Sequence, residues 1–152
     1  MNVREILERV AEALDTVDGL DAHPHRMTTI VAGSNDVAAV RVGPAGINYQ
    51  AALRGGLAEL EVVVELNVQA SDDAAAYLRM VDLLSGGAGE ERSVIDALEA
   101  AYVEDRDSTP QGPLSGLAVQ SATEPRFEGA STFGTPRLLV SELTLYVPTS
   151  RS

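Results

Sequence analysis

The run from Leu57 to Ala70 limits the fold of this chain more than any other segment. Leu60, Val62, Val64, Leu66 and Val68 alternate with Glu59, Glu61, Val63, Glu65, Asn67 and Gln69. Period two with one apolar and one largely acidic or polar side is a half-buried strand, packed on helices through its apolar face. Fully extended, the run spans about 45 Å, against a usual strand of about five or six residues.

Helices to cover that face are legible on either side. Residues 2 to 17 read as one, with Asn2 as N-cap, Glu5 at capping-box spacing, and Val3, Ile6, Leu7, Val10, Leu14 and Val17 on one side. Gly19 supplies a left-handed exit. Ser71 caps a second helix over 72–85, with Asp72 and Asp73 in its first turn and Tyr77, Met80, Val81 and Leu84 as its inner face. A third covers 91–102, lined by Val94, Ile95, Leu98, Ala101 and Tyr102, with Ser93 and Asp96 forming a local cap. A polar loop is expected over 104–115.

The remaining segments are β or irregular. Asp21 to His25 reads as a loop around Pro24. Met27–Ala32, Val37–Val42 and Ile47–Leu53 are short strand candidates, with a turn at Gly43-Pro44-Ala45-Gly46. Near the end, the runs 117–122 and 139–147 alternate and can pair as antiparallel neighbours, joined by an irregular connection over 125–134. The expected architecture is α+β, a mostly antiparallel sheet with helices packed on one face, as a single domain over 1–152.

Composition removes several functional classes. The chain has no Cys, so disulfides, thiol nucleophiles and thiolate metal sites are excluded. No apolar run reaches the roughly 20 residues of a membrane span. The N-terminus leads into an amphipathic stretch rather than a signal peptide, which fits an intracellular chain. A net charge of −12 without a basic block argues against a grip on nucleic acid. Trp is absent and Phe occurs twice, which leaves little for a stacking platform.

Candidate chemistry is sparse. His23 and His25 flank Pro24 near Asp21, but no third metal ligand is evident and the segment reads as a polar loop. No Gly-x-Ser-x-Gly elbow accompanies these histidines. Gly86-Gly87-Ala88-Gly89 lacks the Lys-Ser/Thr of a phosphate loop and follows a helix, so it reads as an inter-helix turn. Asp105 and Asp107 lack the Gly and closing Glu of a calcium loop. Glu59, Glu61 and Glu65 share one strand face. Paired carboxylates can do acid/base work, but three on one exposed face read as a solvated surface, or as the lining of something that must not stick. No enzymatic activity is expected.

The order of parts resembles the tail terminator proteins of long-tailed, siphovirus-type bacteriophages, particularly those of actinobacterial phages. Three stretches carry the likeness: the opening helix with its Gly19-Leu20 exit; Leu57 to Leu66 leading through Tyr77 to Ser85 into Ser93 to Ala101; and the closing pair, Leu117 to Gln120 and Leu138 to Val147. The most specific part is the Ser-Gly-Gly break ahead of Ser93-Val94-Ile95.

The resemblance implies a virion structural protein at the head-proximal end of the tail, assembled in the host cytoplasm. Such subunits close into a ring, typically of six. The ring caps the tail tube, ends polymerisation of the tube protein and presents a surface to the head-completion or neck proteins. No cofactor, metal or membrane is implied. DNA passes through the lumen without specific binding, and Glu59, Glu61 and Glu65 are candidate lumen-facing residues, since like charge with phosphate prevents adhesion. Two other readings remain open: a head–tail neck or joining protein, and a small non-enzymatic ligand-binding module. An acidic hydrolase has the least in its favour.

Overall fold

The computed structural model describes residues 3–24, 35–49, 58–69, 72–86, 93–128 and 138–149. In chain order the elements are α1 (Val3–Leu14), β1 (Leu20–His23), β2 (Asp36–Asn48), β3 (Ala58–Gln69), α2 (Asp73–Leu84), α3 (Val94–Asp107), β4 (Ala118–Ala122), β5 (Arg126–Glu128) and β6 (Leu138–Thr149). One sheet runs β1-β2-β3-β6-β4, with β5 also paired to β6. Among the described residues only the β1–β2 pair is parallel; the others are antiparallel. This is the α+β arrangement that the alternating strand and its flanking helices imply.

The long alternating run is the central strand, β3. Leu60, Val62, Val64, Leu66 and Val68 are buried in one core with Ile6, Val10 and Leu14 of α1, Met80 and Leu83 of α2, and Leu98 of α3. Leu139, Leu143, Leu145 and Val147 of β6 join them from the neighbouring strand. The helices thus cover one face of the sheet, and β3 and β6 supply its apolar floor.

Several local features depart from the sequence reading. Helix α1 ends at Leu14, and the next turn tightens: Thr16 N bonds Ala13 O (3.3 Å), Val17 N bonds Leu14 O (3.0 Å), and Thr16 Oγ1 donates to Ala13 O (2.7 Å). Val17 stays buried and Gly19 takes a φ of 74°, the left-handed exit expected there. Asp21 to His23 is strand rather than loop, because it pairs with Val37 to Ala39. The Asn2 cap, the Met27–Ala32 strand and most of Ile47–Leu53 lie outside the described residues.

The expected turn at 43–46 does not reverse the chain. β2 continues through it, with the register shifting from Val42↔Val62 to Ile47↔Leu60. The extra residues form a bulge, and Gly46 occupies it at φ 61°. Helix α2 is capped by Asp72, whose Oδ1 accepts from Ala74 N (3.0 Å), not by Ser71, which lies outside the described residues. Its inner face is Ala76, Met80 and Leu83, while Tyr77 and Val81 face outward. Arg79 fixes that rotation, donating to Asp36 Oδ2 (3.1 Å) and to the Asp18 carbonyl (2.7 Å).

The local cap of α3 is as expected, with Ser93 Oγ accepting from Asp96 N (3.0 Å). The helix runs to Asp107, however, through the segment read as loop. Asp105 is the reason. Its carboxylate is buried and takes Arg9 of α1 through Nε and Nη2, each 3.1 Å from Oδ1, while Oδ2 accepts from Leu114 N (2.9 Å). A charged residue pointing inward to a partner keeps the helix going where its polarity suggested an end. Arg106 in the last turn lies over the Tyr102 ring, 5.4 Å from its centroid.

Candidate functional site: the face of the sheet away from the helices

Glu59, Glu61 and Glu65 occupy one face of β3, opposite the core, as the alternation requires. The three are not equivalent. Glu59 is exposed, Glu61 is buried, and Glu65 is half-buried. The expectation of three carboxylates on an exposed face is therefore corrected, and the reason lies in their cross-strand neighbours.

Glu65 stands directly opposite Glu142 of β6. Like charges in that relation destabilise a sheet. Arg41 of β2 relieves it, with Nη2 3.3 Å from Glu142 Oε1 and Nη1 3.8 Å from Glu65 Oε2. The second distance is an ion pair but too long for a hydrogen bond, and the buried Nη1 has no hydrogen-bond partner. Ala39, Val63 and Val140 are buried on the same face around the triad.

Glu61 is opposite Tyr146, whose hydroxyl donates to Oε2 at 3.4 Å. The Glu61 charge raises the phenol above its ordinary value; burial, the hydrogen bond and the charge of Glu59 push the same way. On the other side Glu61 packs on the β2 bulge. A Cβ at residue 43 would stand 2.7 Å from Glu61 Cγ, so only glycine leaves room. The bulge and Gly43 together make the slot that buries this carboxylate.

Among the described residues the register brings Glu59, Glu61, Glu65, Glu142, Asp21 and Glu128 to this face, with Arg41 and Arg126 as its guanidiniums. It is acidic on balance and is structured by Arg41 and Tyr146. Among the described residues no three His, Asp or Glu side chains are grouped to hold a metal ion. His23 lies at the end of β1, while His25 and Gly87 to Gly89 lie outside the described residues. Asp105 and Asp107 are not a calcium loop: one binds Arg9, and the other pairs with Arg106 at 3.0 Å. Arg41, Glu142, Tyr146 and Gly43 escaped the sequence reading. They belong to two strands, β2 and β6, and only the register brings them to Glu61 and Glu65.

The sheet also offers an edge. All of Ala118 to Ala122 in β4 is exposed, and among the described residues this strand pairs only with β6. No charged residue falls between Asp107 and Glu124. Val119 (43% exposed) and Phe127 of β5 (37%) stand out along this side of β6. Among the described residues no helix is long and apolar enough to cross a membrane. No protein-family model matches the chain, and no curated protein matches its sequence.

Proposed function

We propose that this chain is a non-enzymatic structural subunit of a bacteriophage tail, a tail terminator that closes into a ring. The observation that carries the reading is the β4 edge: exposed along its length, free of charge, and bordering a sheet whose face away from the helices is acidic. Edge strands are normally guarded by charge, since an unguarded edge recruits another chain. In a chain of charge −12, a neutral edge is where copies can meet without carboxylates opposing one another. A contact between unlike surfaces that rotates to closure makes a ring.

In this reading the ring, typically of six copies, caps the tail tube, ends polymerisation of the tube protein and offers a surface to the head-completion or neck protein. It resides at the head-proximal end of the tail and is assembled in the host cytoplasm. The acidic face bearing Glu59, Glu61 and Glu65 lines the lumen and lets DNA pass without adhesion. The resemblance in the opening helix, the long strand with its following helices, and the closing strand pair supports the same assignment.

The test is the mass and shape of the purified protein across a concentration series, by light scattering and negative-stain electron microscopy. Closed rings that Val119→Lys with Gln120→Lys disperses to folded monomers are the expected result. A chain that stays monomeric at every concentration, or rings indifferent to those charges, overturns the reading.

A further inference from the structure

The run from Ala118 to Glu128 lies along the edge of β6 yet buries almost none of its side chains there. Every residue of β4 and β5 is exposed, as are Thr123 and Glu124 between them, and Pro125 is half-buried. The ladder to β6 is also interrupted. Its register shifts between Val119 and Ser121, and Ala122↔Leu143 gives way to Arg126↔Val140 across Pro125, which has no N–H to donate. The ion pair of Arg126 with Glu128, at 3.2 Å, stays within β5.

Two anchors hold this run. Before it, Leu114 is buried and its N–H donates to the buried Asp105 carboxylate (2.9 Å), while Gly116 packs so closely on Pro148 that a Cβ would stand 2.6 Å from Cγ. Within it, Thr123 fills the gap in the ladder. Its N–H donates to the Glu142 carbonyl (2.9 Å), its Oγ1 accepts from Glu142 N (2.9 Å), and its carbonyl accepts from the buried Ser141 hydroxyl (2.8 Å). A side-chain oxygen thus stands in for a backbone acceptor.

We propose that residues 118–128 are a strap that leaves β6 as one unit while the rest of the chain stays folded, with Thr123 as its catch and the Leu114–Gly116 anchor as its fixed end. Segments that open locally are those with few buried apolar contacts and solvent-exposed backbone bonds, and the strap has both. Its release costs main-chain bonds at an edge, not the burial of any strap side chain. It uncovers the backbone of β6, including the amide and carbonyl of Glu142. The device sets which strand ends this side of the sheet: the uncharged β4 when closed, β6 when open. It concerns how the chain holds its own edge strand and does not need the ring.

The test is native-state amide hydrogen exchange of the full chain, followed by NMR over a series of low urea concentrations. The Thr123 and Glu142 amides are expected to exchange much faster than Val64, in the middle of β3, and to respond far less to urea, because a small opening exposes little surface. Thr123→Val, which keeps the shape and removes the acceptor, is expected to speed exchange at Glu142 about tenfold. Ile6→Val, a small loss in the core, speeds exchange at Val64 several-fold and leaves Thr123 and Glu142 unchanged, since the core stays folded when the strap opens. Thr123 and Glu142 amides that share the urea dependence of Val64, or that Ile6→Val accelerates equally, open only with the whole chain and overturn the proposal. An unprotected Thr123 amide in the unaltered chain overturns it as well, as does exchange indifferent to Thr123→Val.

Discussion

Gly43 and Glu61 share one slot: a Cβ on residue 43 would stand 2.7 Å from Cγ and 2.9 Å from Cδ of the glutamate. Gly43→Ala therefore displaces a buried carboxylate and its Tyr146 contact. The expected cost is about 1–3 kcal/mol in urea unfolding, as for other overpacked sites. Pairing it with Glu61→Ala recovers part of that loss, with a coupling of at least about 0.5 kcal/mol. Additive losses would mean the two do not meet.

The pair of half-buried Arg9 and buried Asp105 joins α1 to α3 and, through Leu114 N, to the segment after α3. Asp105→Ala leaves the Leu114 amide without its acceptor and the Arg9 guanidinium with only its longer ion pairs to Glu12 (3.6 Å) and Glu104 (3.7 Å). A loss of about 1–3 kcal/mol is expected from denaturant titration. Arg9→Met with Asp105→Leu, which removes both charges, is expected to cost less than Asp105→Ala alone.

Tyr146 offers a pH test. Its phenol is raised chiefly by the Glu61 charge, so the folded state holds the proton above the ordinary value of 10.0. In the window between that value and the raised one, the folded chain binds more protons than the unfolded chain. Stability then falls as pH rises through it. Absorbance titration at alkaline pH is expected to show Tyr146 ionising late, and Glu61→Gln to bring it back toward the ordinary value. An unchanged titration in Glu61→Gln would assign the shift to something else.

Glu59 is the one carboxylate of the β3 trio that stays exposed. Glu59→Arg leaves the fold intact, with a stability change within about 0.5 kcal/mol. If this face lines a DNA passage, particles carrying the substitution eject DNA more slowly at low salt, and added salt narrows the difference. Ejection that is unchanged in rate and salt dependence counts against a lumenal position.

Fold class was legible because the strongest pattern was long. The alternation from Leu60 to Val68 survives any uncertainty at its ends, and the apolar positions of β6 repeat it. What failed was local and depended on distant partners. Asp105 reads as loop until Arg9, nearly a hundred residues earlier, is placed beside it. Tyr77 and Val81 look like an inner face because they are apolar, yet Arg79, tied to Asp36, turns the helix so that Ala76 and Leu83 go inward instead. The turn expected at Gly43 became a bulge because flanking residues on both sides pair with β3. The acidic trio was placed on the correct face by alternation alone. Its division into exposed, buried and ion-paired members followed from Arg41, Glu142 and Tyr146, which no sequence spacing links to β3.

Tail length measured by electron microscopy, after deletion of the gene from the phage genome that carries it, tests the terminator reading most directly. The account predicts tubes of uncontrolled length, with normal length restored when the protein is supplied. Normal tails that fail to join heads would move the protein to the neck. Normal, infectious particles would contradict a role in tail assembly and leave the ligand-binding module as the reading to pursue.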